Sequence, residues 1–261
     1  MRDALLEALD STIRTMVSGK DVAVAFSGGL DSGVVAVLCK RYARSVRLYT
    51  VGVDGSYDVR ESEELASALE MDWVHIPIDE GSLIDGLRDT ISMTGTIDPI
   101  VLSFEVPLMY ILPRMEEEVI LTGQGADEVF LGYSKYVGLS EDGLMAQLSD
   151  DYDKLFNVTR VHETRMADSY GKTVLCPFLE ESVRAAVSEI PLDDLMPHGD
   201  DRKVPLRDVA VALGHPEIAS KPKKAAQYGS GAMNIMKRIA KTRGQTVGAL
   251  IIGLKDGVER E

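Results

Sequence analysis

Residues 21–32 read DVAVAFSGGLDS, and this stretch decides the fold class. Its first half is a short apolar run rich in valine, which predicts a buried strand. The glycine turn SGGLDS follows, and the residues behind it, GVVAVLCKRYA, predict a helix. A strand, a tight loop and a helix in this order are typical of parallel α/β proteins, which bind ligands at the carboxyl ends of their strands.

Alternating strands and helices continue outward from this unit. The elements predicted around it are helices over 3–17, 59–70 and 102–115 and strands over 46–53, 73–78 and 118–122. Pro107 should bend the last of these helices or mark its first turn. The alternation predicts a doubly wound parallel sheet with helices on both faces.

Strand signals fade after about Tyr133. The rest of the chain is expected to be helical, at 144–165, 179–190, 204–213 and 232–241. We therefore divide the chain into an α/β domain, residues 1–135, and a helical portion, residues 136–261, which packs on the sheet and completes the active site.

The composition excludes several classes of protein. The 261 residues include 28 Lys+Arg and 42 Asp+Glu, for a net charge of −14, as in a globular protein rather than a disordered one. Charges every few residues at the N-terminus predict neither a signal peptide nor a membrane span. Cys39 and Cys176 form no ligand pattern with the four histidines, which argues against a zinc site or a disulfide framework. We expect a cytoplasmic protein with no membrane partner, whose charge disfavours nucleic acid binding through the whole surface.

Residues 221–243 stand apart because they hold seven basic residues and no acidic one. A basic segment on an acidic protein indicates an anionic ligand. A solvated basic helix would have the same composition. Charge alone leaves both interpretations open.

The SGGLDS turn has the chemistry of a phosphate loop. Two glycines let the backbone approach a phosphate closely, and Ser27 and Ser32 add hydroxyl donors. Asp31 would repel phosphates unless a cation lay between them, and Mg²⁺ typically takes one or two carboxylates plus phosphate oxygens. The turn therefore fits Mg-pyrophosphate. It is neither a Walker A loop nor a GxGxxG fingerprint, and the alternative is a glycine turn with a helix cap.

Several segments together resemble one family. AFSGGLDS is similar to the pyrophosphate loop of the N-type ATP pyrophosphatases, and TVGVDGSYD, WVHIPID and LTGQGADEVFLGY narrow the resemblance to asparagine synthetases. PFLEE, KVPLRDVA and KPKKAAQYGSG follow in the order of that family's C-terminal part. The chain is thus identified as a member of the asparagine synthetase family, covering the synthetase domain without the glutaminase domain. The resemblance implies an adenine nucleotide alpha hydrolase-like fold, with residues 1–135 as the ATP pyrophosphatase domain.

The resemblance also implies residue roles. Asp31 and Asp127 would hold Mg²⁺ and act in catalysis, and Lys223 would neutralise the phosphates while the adenylate forms. Tyr133, Lys203 and Arg207 match family positions and are interpreted as structural. The ATP-binding residues implied are Ala25, Ser27, Gly28, Gly29, Asp31, Ser32, Val51, Thr122 and Gly123.

The sequence departs from the family pattern on the acceptor side. Gln124 stands where the family has Glu, so a neutral amide replaces a carboxylate. Ser103 stands where the family has a substrate-side Arg, the natural partner of a second carboxylate, and Glu105 follows two residues later. Leu175 and Cys176 replace Arg-Val, and Glu180 replaces Asp.

The resemblance implies an ATP-dependent carbon-nitrogen ligase. ATP and Mg²⁺ would convert aspartate or a related acid into its acyl adenylate, and ammonia would then form the amide, leaving AMP and pyrophosphate. With one helix ahead of the first strand, we expect no glutaminase in the chain, so ammonia would be free or delivered by a separate glutaminase subunit. The alternatives are an RNA-modifying enzyme of the same group and a non-catalytic adenine-nucleotide sensor, and self-association into a homo-oligomer stays open.

Overall fold

A parallel sheet forms the centre of the computed structural model, which describes residues 2–197, 201–222 and 229–258. Within these residues the strand order is β3-β2-β1-β4-β5, and every neighbouring pair is parallel. The strands are β1 (Asp21–Ala25), β2 (Ser45–Gly52), β3 (Asp72–Pro77), β4 (Val119–Leu121) and β5 (Thr173–Leu175).

The strand order creates a crevice beside β1. The chain runs from β1 through β2 to β3 at one edge and then returns to β4 on the other side of β1. In register, Ala23 of β1 lies between Arg47 of β2 and Ile120 of β4. The loops that follow β1 and β4 therefore leave the sheet in opposite directions, and open α/β sheets bind ligands at such a switch point.

Helices cover both faces of the sheet. The longer ones are α1 (Arg2–Val17), α2 (Leu30–Tyr42), α3 (Tyr57–Ala68), α4 (Glu80–Thr94), α5 (Pro99–Ile111), α7 (Glu141–Lys154), α8 (Arg160–Ser169), α9 (Glu181–Ser188), α11 (Val204–Ala212), α13 (Ala232–Thr242) and α14 (Val247–Val258). Single turns are α6 (Ala126–Val129), α10 (Leu192–Leu195) and α12 (Pro216–Ala219). A π-helical turn, Leu155–Thr159, joins α7 to α8, and 3₁₀ turns occur at Ser134–Tyr136 and Pro177–Leu179.

Each face of the sheet has its own apolar core, and each core draws on both halves of the chain. Leu9 of α1 and Val35 of α2 share one core with Leu206 of α11. On the other face, Leu83 of α4 shares the second core with Met236 of α13. Because residues on both sides of position 135 fill the same two cores, the helical portion is packed directly on the sheet.

The structure confirms the predicted fold class and corrects some of its elements. The prediction of helices alone after about Tyr133 is wrong at Thr173–Leu175, which forms β5 and pairs Val174 with Ile120 of β4. Three residues are too short for a period-two pattern, so the neighbouring strand defines this one. Helices α4 and α14 were not predicted. Pro99 occupies the first turn of α5, whereas Pro107 lies inside it.

The predicted helix 144–165 is interrupted by the π-helical turn between α7 and α8. Such turns re-aim the side chains that follow them and are frequent near functional sites. Among the described helices, none has the length and apolarity needed to cross a lipid bilayer.

Candidate functional site

The loop after β1 lies against the backbone of α3. Gly28 has a φ of 70°, and a Cβ atom there would stand 2.5 Å from the backbone carbon of Glu61 and the backbone nitrogen of Ser62. Both the backbone conformation and the contact require glycine. The close contact fixes where the loop turns into α2.

The first turn of α2 has the features of a candidate anion site. Gly29 is its N-cap and provides no side-chain hydrogen bond to the helix, so unpaired N–H groups and the positive end of the helix dipole face the loop. The hydroxyls of Ser27 and Ser32 lie 3.3 Å apart beside this turn. Backbone donors with two hydroxyls are the arrangement that a phosphate chain needs.

The loop after β4 approaches the same turn from the other side. A Cβ atom on Gly123 would stand 3.0 Å from the Cβ of Asp31. Gly125 has a φ of 87° and caps α6, which turns the chain so that Asp127 follows two residues later, in the first turn of α6. The two loops of the switch point thus bring Asp31 and Asp127 together.

A buried lysine shows that these carboxylates converge. Lys203 Nζ lies 2.7 Å from Asp31 Oδ2 and 2.9 Å from Asp127 Oδ1, and the residue is 2% exposed. Burial by itself lowers the pKa of Lys203, but attraction to Asp127 and Asp31 outweighs it and raises the pKa. The lysine is therefore a permanent cation between two acids. Gly132 leaves room for it, because a side chain there would collide with Asp127 and Lys203.

The two carboxylates also fit a divalent cation. Asp31 Oδ1 is buried and has no hydrogen-bond partner within the described part of the chain. An orphaned carboxylate oxygen beside a phosphate loop is a suitable Mg²⁺ ligand, since Mg²⁺ keeps few protein ligands and takes the rest from phosphates and water. Across the described residues, no group of three or more His, Cys, Asp or Glu side chains forms a separate metal cage.

The expected nucleoside-pocket residues lie along the same edge of the sheet. Ala25 ends β1, Val51 lies near the end of β2, and Thr122 and Gly123 follow β4. The Thr122 N–H donates to the carbonyl of Leu175 over 3.0 Å, which continues the ladder between β4 and β5. These residues lie at the carboxyl ends of β1, β2 and β4, the edge of the sheet from which the loop before α2 leaves.

Comparison with known proteins identifies the family. The protein-family model described as asparagine synthase matches residues 2–149. The chain belongs to the asparagine synthase family. It is 29% identical to a putative glutamine-hydrolysing asparagine synthetase of Methanocaldococcus jannaschii over 93% of this chain and 52% of that protein. It is 26% identical to asparagine synthetase B of Escherichia coli, over 88% of this chain and 45% of that protein. The chain thus spans about half the length of these relatives.

Two solved structures were also found with low structural similarity. NMN synthetase from Francisella tularensis has a TM-score of 0.45 at 15% identity, covering 99% of this chain and 91% of that one. A predicted tRNA methyltransferase subunit from Methanocaldococcus jannaschii has a TM-score of 0.37 at 19% identity, and the match covers 78% of this chain and 94% of that one.

Lys223, the lysine expected at the phosphates in this family, lies outside the described residues, and so does Lys224. The chain that leads to them is well anchored. Lys221 Nζ lies 2.7 Å from Glu61 Oε2 on α3, and Arg207 donates to the Lys221 carbonyl over 2.9 Å. Lys221 is thereby held beside α3, the helix against which the loop after β1 lies.

Part of the basic segment is neutralised within the chain. Lys221 pairs with Glu61, and Arg238 Nε lies 2.5 Å from Glu80 Oε1.

Arg207 binds three backbone carbonyls, at Arg202, Ala219 and Lys221, which agrees with a structural role. Tyr133 donates to Glu128 over 2.9 Å.

Sequence reasoning missed the position of Lys203 at the site and a second polar cluster. The family position of Lys203 was recognisable, but its contact with Asp31 was not. The second cluster joins His162 and Glu163 of α8 to Glu105 of α5 and to Cys176 after β5. The local signals for it were two departures from the family pattern, at Ser103 and Glu105 in α5 and at Cys176 after β5.

Proposed function

We propose that the protein is an ATP-dependent ligase that adenylates an acceptor carboxylate and amidates it with ammonia. The observation that carries the proposal is the convergence of Asp31 and Asp127, from the two loops of the switch point, on Lys203 Nζ. A carboxylate at the N-terminus of α2, Asp31, and one in α6, Asp127, can serve a phosphate loop when a cation lies between them and the phosphates. Membership in the asparagine synthase family supports the same chemistry.

Binding of ATP follows from the same geometry. The N–H groups of the first turn of α2, with Ser27 and Ser32, would hold the β- and γ-phosphates as the leaving pyrophosphate. The nucleoside would lie along Ala25, Val51 and Thr122, the residues at the edge of the sheet. An acceptor would then approach the α-phosphate from the side of β4 and β5.

The two chemical steps balance without another reactant. An acceptor carboxylate oxygen forms a bond to the α-phosphorus, and the bond to the bridging oxygen breaks to release pyrophosphate. Ammonia then attacks the acyl carbon, AMP leaves with the electron pair of the broken carbon-oxygen bond, and a proton is released. Mg²⁺ held by Asp31 and Asp127 would neutralise charge on the phosphates. Lys223 would add a positive charge as the first transition state forms.

The chemistry of the two cysteines favours ammonia over glutamine as the direct nitrogen donor. The sequence holds only Cys39 and Cys176, and both are buried. Burial raises the pKa of the Cys39 thiol. Burial, and to a smaller extent the nearby charge of Glu163, raises the pKa of Cys176 to about 12. Neither thiol is a nucleophile at neutral pH. Neither cysteine could therefore release ammonia from glutamine, so ammonia would come from solution or from a glutaminase outside residues 1–261.

The decisive experiment is product analysis of a turnover mixture. ATP, Mg²⁺, ammonium and a panel of amino and keto acids, aspartate included, are incubated with the protein, and nucleotides are separated by chromatography. Acid-dependent formation of AMP and pyrophosphate is expected. ADP and orthophosphate as the main products would remove the adenylation mechanism. ATP binding without turnover would favour a nucleotide sensor, and RNA-dependent AMP release that weakens steeply with salt would favour an RNA-modifying enzyme.

A further inference from the structure

A buried polar cluster lies beside the site, at the ends of β4 and β5. Thr122, which follows β4, has its Oγ1 3.3 Å from Cys176 Sγ after β5. Cys176 Sγ is 3.9 Å from Glu163 Oε2 on α8. His162 is the neighbouring residue on α8, and its Nδ1 lies 2.7 Å from Glu105 Oε1. Side-chain contacts thus run from Thr122 to Glu163 and from His162 to Glu105, and the backbone of α8 joins Glu163 to His162.

Glu105 has a buried carboxyl oxygen without a hydrogen-bond partner among the described residues. The residue is 2% exposed, and its Oε2 has no partner within the described part of the chain. Burial, with the neighbouring charges of Glu163 and Asp98, raises the pKa of this carboxyl to about 8. An oxygen in this state lacks a hydrogen-bond donor or a cation, since leaving a buried polar group unpaired is costly.

The side chains around Glu105 that could donate to its Oε2 have other partners or are uncharged. Arg160 is bound to Glu163 and donates to the Val174 carbonyl over 3.2 Å. Burial and the charge of Arg165 lower the pKa of His162, which keeps the ring neutral at pH 7. Ser103 donates its hydroxyl to the Ile100 carbonyl of its own helix over 2.7 Å. The cluster therefore offers carboxyl oxygens and no uncommitted cation among the described residues.

We propose that Glu105 determines acceptor specificity and that the acceptor is a carboxylic acid carrying an ammonium group, without a second carboxylate. The proposal rests on the proposed ligase function and names its substrate class. The ammonium would replace the proton held by the Glu105 carboxyl, which is released to solvent, and would donate to Oε2, while the reacting carboxylate would be directed toward Thr122 and the nucleotide. A dicarboxylate would instead bring a third acid beside Glu105 and Glu163, with Arg160 already engaged.

Binding measurements test the proposal separately from catalysis. The full chain is titrated calorimetrically with β-alanine, succinate or butyrate in the presence of Mg²⁺ and α,β-methylene-ATP. These acids share a skeleton and end in an ammonium, a carboxylate or a methyl group. Binding of β-alanine at least about tenfold tighter than succinate or butyrate is expected, the range for a hydrogen bond to a charged group. Equal binding, preference for succinate, or binding of none of the three would overturn the proposal.

Two variants locate the selectivity. Glu105→Gln resembles the protonated carboxyl in shape and should fold, but it should reduce the preference for β-alanine by about tenfold. Ser103→Ala removes a hydroxyl that bonds to its own helix, so it should leave the preference unchanged. An unchanged preference in a folded Glu105→Gln protein would show that Glu105 does not select the acceptor. AMP release with any acid is measured in parallel and decides the ligase function by itself.

Discussion

The ammonium of Lys203 lies 2.7 Å from the carboxylate of Asp31, although 172 residues separate them in the chain. Lys203 is the N-cap of α11 and adopts a φ of 57°, in the left-handed region. That conformation is unfavourable for a residue with a side chain. The electrostatic contacts of Lys203 with Asp31 and Asp127 offset the cost of this backbone conformation.

Replacing this lysine should destabilise the protein. In Lys203→Met, two buried carboxylates lose their common counter-ion, and the free energy of unfolding should fall by about 3–5 kcal/mol. Denaturant unfolding followed by circular dichroism measures the change. Lys154→Met, at an exposed position on α7, is the matched control and should stay close to wild type. Adding Asp31→Asn to Lys203→Met should restore part of the loss, and a strictly additive double variant would contradict the contact.

Neutralising either acid should abolish turnover with little loss of stability. Asp31→Asn and Asp127→Asn each remove a proposed Mg²⁺ ligand, so acid-dependent AMP formation should fall by about two orders of magnitude or more. Lys203 keeps one carboxylate partner in each variant, so the fold should persist. Thermal melts and activity are compared with Asp150→Asn, an exposed control. Full activity in either site variant would mean that its metal assignment is wrong.

Two glycines with the same φ separate backbone strain from a collision. Gly19 and Gly28 both have a φ of 70°, but only Gly28 faces another backbone, whereas no atom lies within 4 Å of a Cβ on Gly19. Gly19→Ala should cost about 1–2 kcal/mol through conformation alone. Gly28→Ala should cost more and also weaken ATP binding, because the loop must move away from α3. Chemical denaturation and nucleotide titration measure both effects, and equal losses in the two variants would exclude the collision.

The carboxyl of Glu105 should make stability depend on pH. Burial, with the nearby charges of Glu163 and Asp98, raises its pKa from 4.5 to about 8 in the folded protein, so the folded state holds a proton that the unfolded state has lost. The stabilising contribution of Glu105 to the free energy of unfolding is fully present below pH 4.5 and is lost as the pH rises through about 8. Glu105→Gln lacks it, so relative to wild type the variant should gain up to about 1.4 kcal/mol per pH unit between pH 5 and 8. A constant difference across that range would argue against a protonated Glu105.

Lys223 is expected to act on the chemical step. Lys223→Ala should lower the rate of adenylate formation more than it weakens ATP binding, because its charge would matter most as negative charge develops on the phosphates. Lys224→Ala should have the milder effect. Rapid-quench measurement of AMP formation and equilibrium ATP binding distinguish the two quantities. The opposite ranking would place the phosphate-binding lysine one residue further along.

Features that depend only on residues close together in the chain could be predicted from the sequence. The run before Ser27 is one of several strand-like segments that alternate with helical patterns, as is typical of a parallel sheet, so the fold class and the strand, loop and helix around Ser27 were predictable. The family motifs located Asp127 because its glycine-rich loop is contiguous. The strand Thr173–Leu175 was missed because pairing with β4, rather than its own pattern, makes it a strand.

By itself, the sequence determined the parallel α/β fold, the loop at 27–32 and the family, since these follow from periodicity and from contiguous motifs. Tertiary structure alone decided that Lys203 lies between Asp31 and Asp127 and that Glu105 meets His162 in a buried cluster. Folding brings these groups together from distant parts of the chain; attraction to Asp31 and Asp127 outweighs the cost of burying Lys203, whereas burial dominates at Glu105 and His162. No local pattern encodes that distance.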